Sequence, residues 1–203
     1  MNTRAIPRFR TLDLTLVSMF AALMAIGANI TSFAPFLEIA NIPLSMQPFF
    51  AILAGLLLGS RLGAMSMTVY MLIGIAGAPV FAQFGAGIGA IMGSSGGFIL
   101  AYIPTAYVVG KMMEAKQKPT LSHFMIASLV GIMIIYLIGT NYMYISLNIW
   151  LEVEMSYASA WIVMAWFGIK DLIFTIFGAF ITPRIYSAIN QSTSFSRPNN
   201  KSA

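Results

Sequence analysis

Runs of apolar residues follow one another along nearly the whole chain, with almost no charge inside them. A spanning helix needs roughly 17–25 mainly apolar residues, each rising about 1.5 Å. The sequence predicts six spans, at about 14–30, 46–58, 63–76, 97–112, 121–142 and 161–185. The second and third are short, and with 59–63 as a turn they read as a tight helical hairpin. Composition points the same way. The chain is 59% hydrophobic and only 8% charged, whereas soluble domains are about 45–50% apolar and about 25% charged. At 203 residues the length suits one domain. The expected architecture is an all-α integral membrane protein, a six-transmembrane-helix bundle. It comprises an N-terminal segment 1–13, a membrane domain 14–189 and a flexible tail 190–203. Arg4, Arg8 and Arg10 before an apolar run also resemble a secretory signal. Residues 14–30 are long enough to span, however, and more spans follow.

Charge placement orients the bundle. With six spans, Arg4, Arg8, Arg10, Arg61, Lys111, Lys116, Lys118, Arg184, Arg197 and Lys201 all fall on one side. The other side carries Glu38, Glu152 and Glu154 and no Lys or Arg. The positive-inside rule then places both termini in the cytoplasm. Five or seven spans would destroy this agreement. Three connections fall outside, at 31–45, 78–96 and 143–160. They are long, and the middle one is an uncharged, glycine-rich stretch containing Pro79. Such loops suggest a lidded site opening outward. Non-helical backbone at membrane depth is tolerated only where protein or water satisfies it.

Lys170 and Asp171 are charged residues deep inside a span, whereas Lys111 and Arg184 lie at span ends. Asp171 lies about 20 Å of helix rise from Arg184, in the outer half of the bilayer. Ionisable residues there usually mark a ligand or ion path. Asp171 can accept hydrogen bonds from ligand N–H groups, while Lys170 neutralises it or meets a ligand carboxylate. A mutual ion pair with Lys170 snorkelling is the plainer alternative. Gln47, at the mouth of the second span, both donates and accepts, which suits an amide or ureido group. Gln83 is the strongly polar side chain of the apolar loop. Asn141 and Tyr144, with Tyr142, end the fifth span, where Tyr also serves as an interface anchor. Ala21, Ala25 and Ala28 form a smooth stripe that lets another helix approach closely, from this chain or a partner.

Other chemistries find little support. There are no cysteines, which excludes disulfides and thiolate sites. The basic residues form no stripe for nucleic acid. Gly85, Gly87 and Gly89 imitate a nucleotide loop, but no strand precedes them and no Lys-Ser/Thr follows. His123 reads as an interfacial histidine. No metal-binding or cofactor-binding pattern is present, and no nucleophile–base pair suggests an enzyme. Without an ATP-binding motif, active transport would draw on a partner or a gradient.

Several segments resemble the BioY family. They are Ile42-Pro43-Leu44-Ser45-Met46-Gln47, then Leu53-Ala54-Gly55-Leu56-Leu57-Leu58-Gly59-Ser60-Arg61-Leu62-Gly63, Tyr70 to Ala82 with its Gly-x-x-Gly-x-Pro-Val-Phe-Ala run, and Gly93-Ser94-Ser95-Gly96-Gly97-Phe98. The resemblance covers about 14–189. It implies a biotin-specific S component of an energy-coupling-factor transporter, a plasma-membrane importer. The vitamin would sit near the outer face, with Pro79, Val80 and Phe81 burying its bicyclic ring. The first helix, through Ala21, Ala25 and Ala28, would dock on a transmembrane T component driven by two ATP-binding subunits. In the last helix, Phe167 and Asp171 match the family pattern, but Phe174 stands at its lysine position and Lys170 lies one turn away. Gly93-Ser94-Ser95-Gly96-Gly97 replaces the usual Gly-Pro-Thr-Gly-Gly. Three alternatives stay open: an S component for another vitamin, a proton-coupled carrier using Asp171, and an intramembrane enzyme acting on lipid.

Overall fold

A computed structural model describes residues 10–33, 38–39, 42–43, 45–116 and 119–192. Arg4, Arg8, Leu44, Lys118, Arg197 and Lys201, with most of the expected segments 1–13 and 190–203, lie outside the described residues. The chain forms α1 (Thr11–Asn29), a 3-10 turn (Ile30–Phe33), a short antiparallel ribbon of β1 (Glu38–Ile39) and β2 (Ile42–Pro43), and α2 (Gln47–Ile75). A 3-10 turn (Ala82–Phe84), α3 (Ile88–Met92), α4 (Gly96–Glu114), α5 (Leu121–Ile149) and α6 (Tyr157–Ser192) follow.

By length and composition α1, α2, α5 and α6 can each cross a membrane. Helix α2, however, is not one crossing. At Gly59 the backbone takes φ 82°, ψ −177°, a conformation open essentially to glycine alone. The Gln47 side chain nevertheless reaches the Tyr70 hydroxyl at 2.7 Å, although a straight helix would hold these residues about 34 Å apart. Residues 47–58 and 60–75 are therefore two antiparallel arms, the expected hairpin with its turn at Gly59. With α4 they bring the bundle to six membrane segments.

The turn is held by the end of α4. Glu114 accepts hydrogen bonds from the Ser60 backbone N–H (2.7 Å) and the Ser60 hydroxyl (2.8 Å). Its carboxylate thus caps the N-terminus of the second arm, where bare N–H groups favour an anion. Helix α2 packs against α4 and α1, α4 against α5, and α5 against α6. Their shared interior holds Met24, Ile52, Tyr70, Tyr102, Val109 and Ile135. The outer flanks of α5 and α6 present Met133, Trp166, Ile173 and Phe177 at 61–65% exposure, as a lipid-facing surface requires. Ser66, Thr68 and Thr182 donate to carbonyls one turn back, so these hydroxyls are satisfied without water.

One open alternative gains support and one expectation needs correction. Ala21 and Ala28 are buried and Ala25 is partly buried against the core. This stripe lets α1 close on its own chain, while Ser18, Ala22 and Ile26 are exposed. The expected outer loop at 143–160 is mostly helix, because α5 continues to Ile149 and α6 begins at Tyr157.

Candidate functional site

One end of the bundle holds the basic residues Arg61 and Lys111 beside the Gly59 turn. At the opposite end, a cavity of about 240 Å³ opens between the start of α2, the 82–95 connection, α4, α5 and α6. Gln47, Gln83, Lys170 and Asp171 line it together, as do Tyr102, Tyr136 and Phe167. Asp171 and Gln47 are 4% and 5% exposed, well inside the bundle.

Both oxygens of Asp171 are engaged. Lys170 Nζ lies 2.8 Å from Oδ1, and the Tyr136 hydroxyl donates to Oδ2 at 2.6 Å. Neighbouring helical positions do not share a face, so the flexible lysine stem curls back to reach its neighbour. Lys170 also donates to the Ser45 carbonyl, tying α6 to the start of α2. The charge of Asp171 is thereby paired inside the membrane segment, the condition for keeping a buried carboxylate ionised. Each oxygen retains a further lone pair.

The same logic orients Gln47. The Tyr70 hydroxyl gives its one proton to the Val80 carbonyl at 3.0 Å. It must then accept from Gln47, whose amide nitrogen lies 2.7 Å away. The Gln47 carbonyl oxygen is left for the cavity that the residue lines. Gln83 lies at the rim, exposed, with φ 56°. Positive φ is uncommon for a residue with a side chain. The loop holding it is fixed by Asn29, which accepts from the Phe84 N–H at 2.7 Å and donates to the Val80 carbonyl.

Pro79, Val80, Phe81, Asn141 and Tyr144 do not line this cavity. Phe81 is 2% exposed and turns into the wall, edge-on to Tyr70 with ring centroids 5.5 Å apart. It seats against Gly74, where any Cβ would collide with the ring. Asn141 bonds to the Leu137 carbonyl and the Tyr157 hydroxyl, and Tyr144 packs edge-on against Tyr157. Phe174 is 40% exposed and is likewise not part of the cavity. His123 pairs with Thr120 at the start of α5. Sequence reasoning missed Tyr102, Tyr136 and Asn29. Among the described residues no cluster suited to a metal ion occurs.

The sequence pattern of the BioY family matches residues 1–191. The chain belongs to this family. It is 54% identical over 190 residues to BioYB of Bacillus subtilis strain 168, covering 94% of this chain and 95% of that one. It is 29% identical over 168 residues to the biotin transporter BioY of Thermotoga maritima, covering 82% and 91%. Among solved structures, it resembles the crystal structure of an S-component for biotin from an ECF-type ABC transporter. The TM-score is 0.68 at 20% identity, covering 89% of this chain and 95% of that one. That likeness is one of fold, and it places this BioY-family chain among multi-pass membrane bundles.

Proposed function

We propose that the chain is the biotin-binding S component of an energy-coupling-factor importer in the plasma membrane. Family membership and the relatives' description as biotin transporters support this. The observation that carries it is the small cavity whose polar groups converge on Asp171. The cavity of about 240 Å³ is slightly smaller than the usual range of about 300–1,000 Å³, but a few convergent polar groups in a mainly apolar lining are what a small-molecule site presents. The ureido N–H groups of biotin would donate to Asp171 and the Gln47 carbonyl, while Phe98, Tyr136, Met164 and Phe167 enclose the bicyclic ring. Lys170 neutralises Asp171 here and does not meet the biotin carboxylate. Its Nζ is only 2.8 Å from Asp171, whereas a bicycle and a four-methylene chain separate the ureido group from the carboxylate. The carboxylate would point to the mouth, where Gln83, Ser94 and Ser95 line the cavity. Docking on a T component with two ATP-binding subunits would use the exposed side of α1, around Ser18 and Ala22, with Ala25 at its edge.

Biotin titration of the detergent-purified chain tests this. Asp171→Ala should lose about 10–100-fold in affinity, the cost of a missing charged acceptor. Exposed Gln83→Ala should stay within about threefold. Intact binding by Asp171→Ala overturns the site, and no binding by the wild-type chain overturns the ligand.

A further inference from the structure

Tyr102 stands apart from the other polar residues of the cavity. It is 3% exposed, enclosed by the core on α4, and it lines the cavity with Asp171 and Tyr136. The hydroxyls of Tyr70 and Tyr136 both donate to protein acceptors. Tyr102 makes no hydrogen bond to any described residue. Its hydroxyl is not one of the sealed-off polar atoms of the interior; it opens on the cavity, where a ligand group can accept from it. Lys170 is already committed to the Ser45 carbonyl and Asp171. The Asp171 carboxylate and the Gln47 carbonyl can accept in the cavity, and its deep donors are the Tyr102 hydroxyl and the second N–H of the Gln47 amide.

We propose that the Tyr102 hydroxyl donates to the carbonyl oxygen of the ligand's cyclic urea, making Tyr102 a specificity-determining residue of the site. The inference rests on the biotin reading and completes it. A cyclic urea offers two N–H donors and one strong acceptor. Asp171 and Gln47 match the donors, and Tyr102 matches the acceptor. A ring that keeps both N–H groups but carries a poor acceptor in place of the oxygen should be rejected at this one contact.

The test is a two-by-two titration of wild type and Tyr102→Phe with biotin and with its thiocarbonyl analogue, in which sulfur replaces the ureido oxygen. Phenylalanine keeps the buried ring, and a melting curve of each purified protein confirms equal folding. Tyr102→Phe should weaken biotin about tenfold and the thiocarbonyl analogue by no more than about twofold, a coupling of the kind such cycles isolate. If wild type binds biotin and the variant binds it equally well, the inference falls and the biotin reading stands. An equal loss for both ligands also overturns the inference, because the hydroxyl then acts on something other than the carbonyl. No biotin binding by wild type removes the biotin reading and the inference with it.

Discussion

Asp171 shows how much of a membrane site is decided by pairs far apart in sequence. Lys170 and Asp171 announce themselves as charges inside an apolar span. What makes the carboxylate usable is Tyr136, one helix away, whose hydroxyl holds Oδ2 at 2.6 Å. Nothing in the sequence separates Tyr136 or Tyr102 from the other tyrosines of an aromatic-rich chain, because their importance lies in what they face. Phe81 reads as a ligand contact for the converse reason. Only its seat against Gly74 turns it into the wall. The ion pair makes its own prediction. Breaking a buried pair strands a charge and costs about 3–5 kcal/mol, whereas removing both charges costs far less. Lys170→Met should lower the melting temperature in detergent, and Lys170→Met with Asp171→Asn should recover most of the loss. A double variant no more stable than the single one would show that the pair does not neutralise Asp171.

At the scale of elements, the spans were legible because lipid imposes a simple length and polarity rule. The hairpin was legible because two short runs flank glycines. The end of α5 was not: 143–149 carries enough polar residues to imitate a loop, yet Ser146 bonds to the Met92 carbonyl and Trp150 to the same oxygen, fastening this turn to α3. The Glu114 clasp on the Gly59 turn was also invisible, since its partner lies 54 residues away. Gly59→Ala would force a side chain into φ 82° and to 2.7 Å from Glu114 Oε1. Strain of this kind costs about 1–3 kcal/mol, so the variant should melt measurably below wild type. Burial alone would lift the Glu114 carboxyl above its ordinary value of 4.5, but the bonds from Ser60 and Lys111 outweigh burial and hold it below. A carboxyl depressed in the folded state stabilises above its unfolded value and loses that contribution as pH falls through the folded value. The melting temperature should therefore drop on acidification below 4.5. Glu114→Gln should melt lower near neutrality and show a shallower drop. An unchanged pH profile would remove the clasp from the account of stability.

For the whole molecule, the cavity and the Glu114 clasp lie at opposite ends of the bundle, and function depends on which end faces out. The charges argue that the clasp end is cytoplasmic. Arg61, Lys111, Lys116 and Arg184 gather there, while Glu152 and Glu154 lie in the short connection between α5 and α6 near the cavity end. Lysine and arginine are retained on the cytoplasmic side during insertion, and acidic residues contribute little to the choice. A cavity that faces out can take ligand from the medium without any prior movement of the bundle. A cavity that faces in would make the chain a receiver of cytoplasmic ligand and reverse the proposed direction of transport. The chain contains no cysteine, so single cysteines can be read on a silent background. Glu154→Cys should react in intact cells with a membrane-impermeant maleimide, and Lys116→Cys should react only after the membrane is opened. Both positions are exposed, so a failure to label reflects the side of the membrane rather than burial. The opposite pattern would invert the bundle and, with it, the proposal that the cavity captures its ligand from outside.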